Sequence, residues 1–214
     1  MTLPDPAPEA PKKSSRRSDR FVAHVHELCA SKGSRADLRR GLGLPVERCN
    51  YLHRYLVPFL SEGVHPDARR AHYAVASLIA AQPRAARDAR AMRPVAADDV
   101  AYWSRRANLG AALGQAVSKR VIKPRTAEST LHLMSRQSTE AIHPRLPALT
   151  RQLLGNGVAV DWAVLLEDLS WWNRSREHIA TRWFESYFRI TSAAPAGDDD
   201  ALPETPDLNE ENNA

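Results

Sequence analysis

Apolar residues recur at three- and four-residue steps along most of the chain, which is the period of an amphipathic α-helix. The clearest stripe follows Asp161, a residue type that caps helices because its carboxylate accepts from the free N–H groups of the first turn. Its members are Trp162, Leu165, Leu166, Leu169 and Trp172. A second stripe follows Ser175 and consists of Ile179, Trp183, Tyr187 and Ile190. Because the link between the stripes is so short, we expect a tight antiparallel helical hairpin.

The aromatic side chains of this hairpin have two interpretations. Most of them follow the apolar stripes, which indicates that they pack in a core. Trp171 falls just off its stripe and is the best candidate for a stacking platform that would hold a base or a cofactor.

The same helical period predicts the rest of the fold, and no Asn-Gly turn joins alternating β-branched runs. Upstream helices are expected on stripes that begin at Phe21, Leu38, Val46, Ala71, Val100, Leu131 and Leu146. We therefore predict an all-α protein of two packed helical sub-bundles, residues 18–81 and 98–190. A basic connector, residues 82–97, would join them, and residues 1–17 and 191–214 would form disordered tails.

Charge is distributed unevenly along the 214 residues. The segment 191–214 has no Lys or Arg and contains seven acids: Asp198, Asp199, Asp200, Glu204, Asp207, Glu210 and Glu211. Because these acids contribute −7 to the net charge of +5, residues 1–190 carry +12. A basic body with an acidic tail favours a polyanionic partner.

Catalytic motifs are lacking in the sequence, which has no Gly-rich phosphate loop and no His-Glu-x-x-His pattern. Asp161 and Asp168 are seven residues apart and suggest a metal-dependent nuclease, but Asp161 already has a capping role. His24, His26 and Cys29 spread around a helix and do not converge as metal ligands must. We therefore predict a binding protein that is not an enzyme and has no cofactor or metal.

The cysteines and the lengths of the apolar runs indicate where in the cell the protein is located. Cys29 and Cys49 lie among helix-period apolar residues, as reduced core cysteines do. No apolar run approaches the ~20 residues of a membrane helix. The prediction is a cytoplasmic protein.

Basic residues that lie away from the apolar stripes are the candidate nucleic-acid contacts. They are Arg39, Arg40, Arg54, Arg106, Lys119, Arg120, Arg136, Arg145 and Arg151. If they converge into one positive groove, that groove would bind phosphates regardless of base sequence, driven by counterion release.

Several segments together resemble the CasB family, the small subunits of the type I-E CRISPR complex called Cascade. The Asp161-Trp162 pair followed by Trp171-Trp172 and by the polar segment 173–176 is similar to the family's C-terminal signature. Upstream, residues 38–40, 55–59, 108–113 and 131–136 resemble further family segments in the same order, so the resemblance covers 21–189. Two positions depart from it. Members often have a double arginine where this chain has Ser129-Thr130, and an arginine where it has Ala111. Some phosphate contacts of relatives are therefore expected to be missing here or to move to Lys119, Arg120 or Arg136.

The resemblance implies a non-enzymatic all-α subunit, two copies of which stack within the complex. Its implied partners are the guide-RNA-bearing backbone subunits, the large subunit and a second copy of itself. Its basic groove would hold the displaced single-stranded DNA and so stabilise the R-loop. The alternative from another functional class is a helical DNA-binding transcription regulator, which would read base edges as a two-fold dimer.

Overall fold

The computed structural model describes residues 16–91 and 106–193, of which 88–91 by backbone alone. The helices are α1 (Arg17–Ala30), α2 (Lys32–Arg40), α3 (His53–Leu56), α4 (Pro66–Ala80), α5 (Arg84–Ala91), α6 (Leu109–Ser118), α7 (Pro124–Ser135), α8 (Thr139–Ile142), α9 (Leu146–Gly155) and α10 (Trp162–Ala193). Short 3-10 turns lie at Val46–Arg48, Asn50–Leu52, Val57–Phe59 and His143–Arg145. The described ranges contain no strand, and the all-α prediction is confirmed.

The C-terminal helix α10 is broken at Ser175, whose φ of −134° and ψ of 29° lie outside the helical region. In a continuous helix Asp168 and Trp183 would lie ~22 Å apart at 1.5 Å per residue. Instead, the Trp183 indole N–H donates to the Asp168 carboxylate at 2.7 Å. The ring centroids of Trp172 and Trp183 are 4.7 Å apart. The two arms, residues 162–174 and 176–193, therefore fold back on each other as the predicted hairpin.

Asp168 and the tryptophans hold this hairpin together. Trp172 and Trp183 are buried to within 1% exposure, and the Trp172 indole donates to the carbonyl of Gln137 at 2.9 Å. Asp168 is 3% exposed and also accepts from Arg182 at 3.1 Å. Burial raises the pKa of Asp168 to about 6, although the Trp183 and Arg182 hydrogen bonds act in the opposite direction.

Small residues let α6 approach the second arm of α10. A Cβ at Gly110 would lie 1.9 Å from the carbonyl oxygen of Trp183, and one at Gly114 would lie 3.1 Å from Ile190. The backbones of the two helices are thus in contact. From Gly110 to Gly114 on α6, the contacted residue on α10 advances from Trp183 to Ile190. α6 and the second arm of α10 therefore run side by side and parallel.

One core joins the elements on both sides of the connector. α10 packs most extensively against α6 and α4. The largest buried side chains of this core include Phe21, Leu38, Leu52, Leu56, Ile79, Leu113, Leu131, Met134, Trp172, Trp183 and Tyr187. Cys29 and Cys49 are free and buried, as predicted. Within the described ranges no helix combines the length and the apolarity that crossing a bilayer requires.

Some helix boundaries differ from the prediction. Gly33 is a residue type that ends helices and Ser34 one that caps them, so the sequence predicts a helix boundary at this pair. Both lie inside α2, which begins at Lys32 after a break at Ser31. The apolar stripe that begins at Val100 predicts one long helix capped at 98 and 99, whereas α6 begins at Leu109, because Asn108 accepts from the Ala111 N–H at 3.0 Å and caps it. Its expected start, 98–105, lies outside the described residues.

Replacing Gly110 tests the close contact between α6 and α10. The Gly110→Ala methyl group would overlap the Trp183 backbone, so we expect a loss of at least ~2 kcal/mol in the free energy of unfolding, measured by urea titration. Gly155→Ala is the matched control, because a Cβ there meets nothing within 4 Å. Equal stabilities of the two variants would contradict the packing.

Asp168 should make the stability of the protein depend on pH. Because its folded-state pKa, about 6, lies above the ordinary 3.8, the folded state binds the proton more tightly than the unfolded state does. The free energy of unfolding therefore gains up to ~3 kcal/mol from this group as pH falls from 7 to 4. Asp168→Asn keeps an oxygen acceptor for Trp183 but cannot titrate, so the difference between the two proteins should follow this curve.

Comparing the wild-type protein with Asp168→Asn separates the pH effect of Asp168 from that of the buried histidines. Burial lowers the pKa of His143 to about 4 and also lowers that of His72, so these groups destabilise the folded state as pH falls. They do so equally in both proteins. A difference in unfolding free energy that is constant from pH 4 to pH 7 would exclude Asp168 as the cause.

Candidate nucleic-acid interface

A single carboxylate organises the arginines at the end of α2. Asp37, whose side chain is 13% exposed, accepts from Arg40 and Arg54 and forms ion pairs with both. It also accepts from the Tyr55 hydroxyl at 2.8 Å, and that bond together with the two arginines lowers the pKa of the carboxyl. The side chains of Arg40 and Arg54 remain 70% and 64% exposed. Asp37 therefore orients two guanidinium groups without burying them.

Aromatic rings lie against the same guanidinium groups. The Arg40 guanidinium lies 5.6 Å from the ring centre of Tyr51, which is 36% exposed, and the Arg54 guanidinium lies 4.6 Å from that of Tyr55. Arg39 is exposed and has no ion-pair partner among the described residues. Three arginines and one carboxylate give this patch a net positive charge. Surfaces that bind single-stranded nucleic acid typically combine basic groups with exposed aromatic rings in this way.

The turn that follows α2 connects this patch to α9. Leu42 and Pro147 line two adjoining shallow grooves between the turn and the start of α9. Arg151 lines one groove and His143 lines the other. Arg145, which lies between His143 and Pro147 in sequence, is exposed. The grooves therefore place the turn after α2 next to Arg151 of α9.

Further cations lie at the opposite end of α9. This helix is ~15 Å long and has one solvent-exposed face that includes Arg151 and Gln152. Beyond its end, the Lys119 ammonium donates to the carbonyl of Gly157 at 2.8 Å. Arg120, the next residue, is also exposed. Seven of the nine predicted residues are exposed on α2, on α3, at α9 or at the turn after α6, and we call them the α9 basic surface: Arg39, Arg40, Arg54, Lys119, Arg120, Arg145 and Arg151.

Arg106 is not part of this surface. Its guanidinium lies between two carboxylates, with Asp161 at 2.6 and 2.7 Å and Asp19 at 2.8 and 3.0 Å. Its side chain is only 17% exposed. The sequence pattern predicts Arg106 as a phosphate contact, but this arginine instead ties α1 to the start of α10.

Arg136 lies at the opposite end of α7 from the turn that carries Lys119 and Arg120. It follows the 12-residue helix α7, so ~18 Å of helix separates it from Lys123, which precedes that helix. The adjacent Gln137 accepts from Trp172 near the break of α10. Trp171, the predicted stacking candidate, is 50% exposed with the Arg174 guanidinium 5.3 Å from its ring centre. It also lies near this break and not on the α9 basic surface.

The carboxylates proposed for a nuclease are engaged in other contacts. Asp161 accepts from the N–H groups of Ala163 and Val164, which confirms it as a helix cap, and it also pairs with Arg106. Asp168 faces Trp183 and Arg182. The described part of the chain holds no group of three or more His, Cys, Asp or Glu that could bind a metal ion.

Sequence reasoning missed Asp37, Tyr51 and Tyr55 as parts of the site. The three-residue spacing of Asp37 and Arg40 was a usable signal, because side chains so spaced are neighbours on a helix. The ion pair between Asp37 and Arg54 spans 17 residues across an irregular segment, and no local pattern indicates it.

Comparison with known proteins agrees with this fold. The sequence profile of the family described as CRISPR-associated protein Cse2 matches residues 34–188. The chain belongs to the Cse2 family. A comparison with curated proteins found no significant match.

Chains of several solved structures have a similar fold. A chain of a structure titled "CRISPR RNA-guided surveillance complex, pre-nicking" is 37% identical, with a TM-score of 0.71, over 82% of this chain and 94% of that one. A second chain, titled "CRISPR RNA-guided surveillance complex", is 35% identical, with a TM-score of 0.68 and the same coverage. M. ruber CasB is 22% identical, with a TM-score of 0.68 over 83% and 95%, and supports the fold alone.

The structure shows the surroundings of Ala111 and Thr130, at the two positions that depart from the family pattern. Ala111 is 7% exposed where α6 meets α10, and the Thr130 hydroxyl donates to the Thr126 carbonyl at 2.8 Å. Of the three positions expected to compensate, Lys119 and Arg120 lie on the α9 basic surface and Arg136 does not.

Loss of the charge should reduce the stability of the protein at Arg106 but hardly change it at Arg151. Arg106→Met leaves Asp19 and Asp161 facing each other, so we expect a loss of ~2–3 kcal/mol in unfolding free energy, measured by urea titration. Arg151→Met removes an exposed charge and should change stability by less than ~0.5 kcal/mol. A stable Arg106→Met protein would show that the carboxylate cluster does not hold α1 to α10.

Proposed function

We propose that this Cse2-family chain is the small, non-catalytic subunit of a type I-E RNA-guided surveillance complex in the cytoplasm. Its α9 basic surface would bind the displaced non-target DNA strand and nearby guide RNA without base specificity. The observation that supports the proposal is this group of exposed cations, two of which, Arg40 and Arg54, are oriented by Asp37. The titles of the two structures above 30% identity support the assembly.

The composition of the surface suits a single strand of any sequence. Arginine and lysine heads bind phosphate oxygens, and the exposed ring of Tyr51 offers a face on which any base can stack. Asp37 fixes two guanidinium groups before the strand arrives, so less side-chain entropy is lost on binding.

A modest affinity is sufficient for the role. Exchanging a DNA duplex for a guide–target heteroduplex is nearly balanced in free energy. A few phosphate contacts to the displaced strand therefore shift the balance toward the open R-loop. The proposed protein partners are the guide-RNA-bearing backbone subunits, the large subunit and a second copy of this chain.

Binding of single-stranded DNA should be insensitive to base sequence and sensitive to salt. We expect a log–log slope of about −0.7 per phosphate contacted, measured by fluorescence anisotropy with mixed and homopolymeric strands. The double variant Arg39→Ala/Arg145→Ala should reduce the magnitude of the slope by ~1.4. Arg136→Ala, which removes an exposed arginine away from the α9 basic surface, is the matched control.

Two outcomes would contradict this function. A strong preference for one palindromic duplex at constant salt would favour the transcription-regulator alternative. Co-expression with the other subunits and a guide RNA tests the assembly, and failure of this chain to co-purify at a fixed ratio would exclude it as a stable subunit.

A further inference from the structure

Four exposed cations surround the turn between α6 and α7, and we call them the turn cluster: Lys119, Arg120, Lys123 and Arg125. Among the described residues none of the four forms an ion pair, and Lys119 donates only to the neutral Gly157 carbonyl. Nearby Glu128 is partly buried and accepts from the Tyr187 hydroxyl at 3.3 Å. The turn cluster is thus a concentrated positive charge with one acid beside it.

The backbone at the centre of the turn cluster is strained. Arg120 has a φ of +57°, the left-handed conformation in which glycine is favoured. Its N–H donates to the Val117 carbonyl at 2.8 Å, and the Val121 N–H donates to the Ala116 carbonyl at 2.8 Å, as in a Schellman motif. An arginine at this position costs stability relative to glycine, which points to a use for its side chain.

The second arm of α10 ends beside this cluster. It runs parallel to α6, with Ile190 against Gly114, and the Tyr187 hydroxyl donates to the Pro124 carbonyl at 3.4 Å. α6 ends only four residues after Gly114, and α10 ends at Ala193, only three residues after Ile190. The chain therefore leaves α10 close to the four cations.

The segment that follows Ala193 has the complementary charge. It is the 194–214 tail, with seven acids and no Lys or Arg, and its first acids are Asp198, Asp199 and Asp200. Five residues reach at most ~17 Å when extended, which is enough to bring these aspartates to the turn cluster. We propose that the acidic tail docks on the turn cluster of its own chain and competes there with nucleic acid.

Tethering makes such a weak contact significant. A link of only a few residues gives an effective concentration in the millimolar range, so acid–cation contacts of millimolar intrinsic affinity would be partly formed. Their strength falls as salt rises, because exposed charges are screened beyond ~10 Å at 0.1 M. The tail contact does not depend on the proposed function, whereas its competitive consequence does.

A charge-neutral tail of the same length tests the contact directly. The variant carries Asp198→Asn, Asp199→Asn, Asp200→Asn, Glu204→Gln, Asp207→Asn, Glu210→Gln and Glu211→Gln in the full chain. At about 50 mM salt the backbone amide chemical shifts of residues 119–123 and of Arg125 should differ between wild type and variant, while those of α1 coincide. The difference should vanish at about 0.5 M salt and should not depend on protein concentration.

The competition is tested by binding of single-stranded DNA to the same proteins. The neutral-tail protein should bind about three- to tenfold more tightly at about 50 mM salt. This gain should be absent when the turn cluster carries Lys119→Gln, Arg120→Gly, Lys123→Gln and Arg125→Gln. Glycine is used at 120 because its left-handed backbone favours it, so the variant should fold.

The outcomes separate the two proposals. Unchanged amide shifts at low salt overturn the tail contact, and shifts that depend on protein concentration overturn its assignment to the same chain. An equal gain in DNA affinity without the turn cluster overturns the assignment to these four cations. If the shifts move but no protein binds single-stranded DNA, the tail contact stands and the proposed function fails.

Discussion

The fold depends on the return of α10 at Ser175. One residue outside the helical region brings Asp168 to the Trp183 indole and places Trp172 against Trp183. Packing around buried tryptophans contributes several kcal/mol, a large fraction of a typical domain's stability. Because α10 then packs on both α4 and α6, the elements on either side of the connector share one core. Arg39 and Arg40 on α2 keep their positions relative to Arg151 on α9 only while this core is intact.

Nearby carboxylates determine what each arginine does. Arg106 faces two of them, is largely buried and acts as a structural link between α1 and α10. Arg40 and Arg54 share one carboxylate and remain exposed, so they are oriented yet accessible. Arg39 and Arg151 are exposed and pair with no carboxylate within the described ranges. The electrostatic surface of the protein is therefore set by a few acids more than by the number of its arginines.

Family membership and the α9 basic surface support each other for physical reasons. A subunit that holds a displaced strand must accept any sequence, so contacts to phosphates and to base faces are required and a base-reading helix is not. The same chemistry leaves the surface open to other polyanions. The acidic tail that we propose to dock on the turn cluster would be such a competitor, and it would reduce non-specific binding to nucleic acid when no correct partner is present.

The sequence by itself determined the helical class, the capping role of Asp161, the hairpin and the family. These properties follow from local periodicity and from short spacings, which neighbouring residues report directly. It did not determine which cations share a surface, because that depends on contacts between distant residues. The pairing of Arg106 with Asp19 spans 87 residues, and that of Arg54 with Asp37 crosses an irregular segment. The start of α6 at Asn108 likewise required tertiary structure, since the Asn108 side chain also donates to the Arg182 carbonyl and to Ser186 on α10.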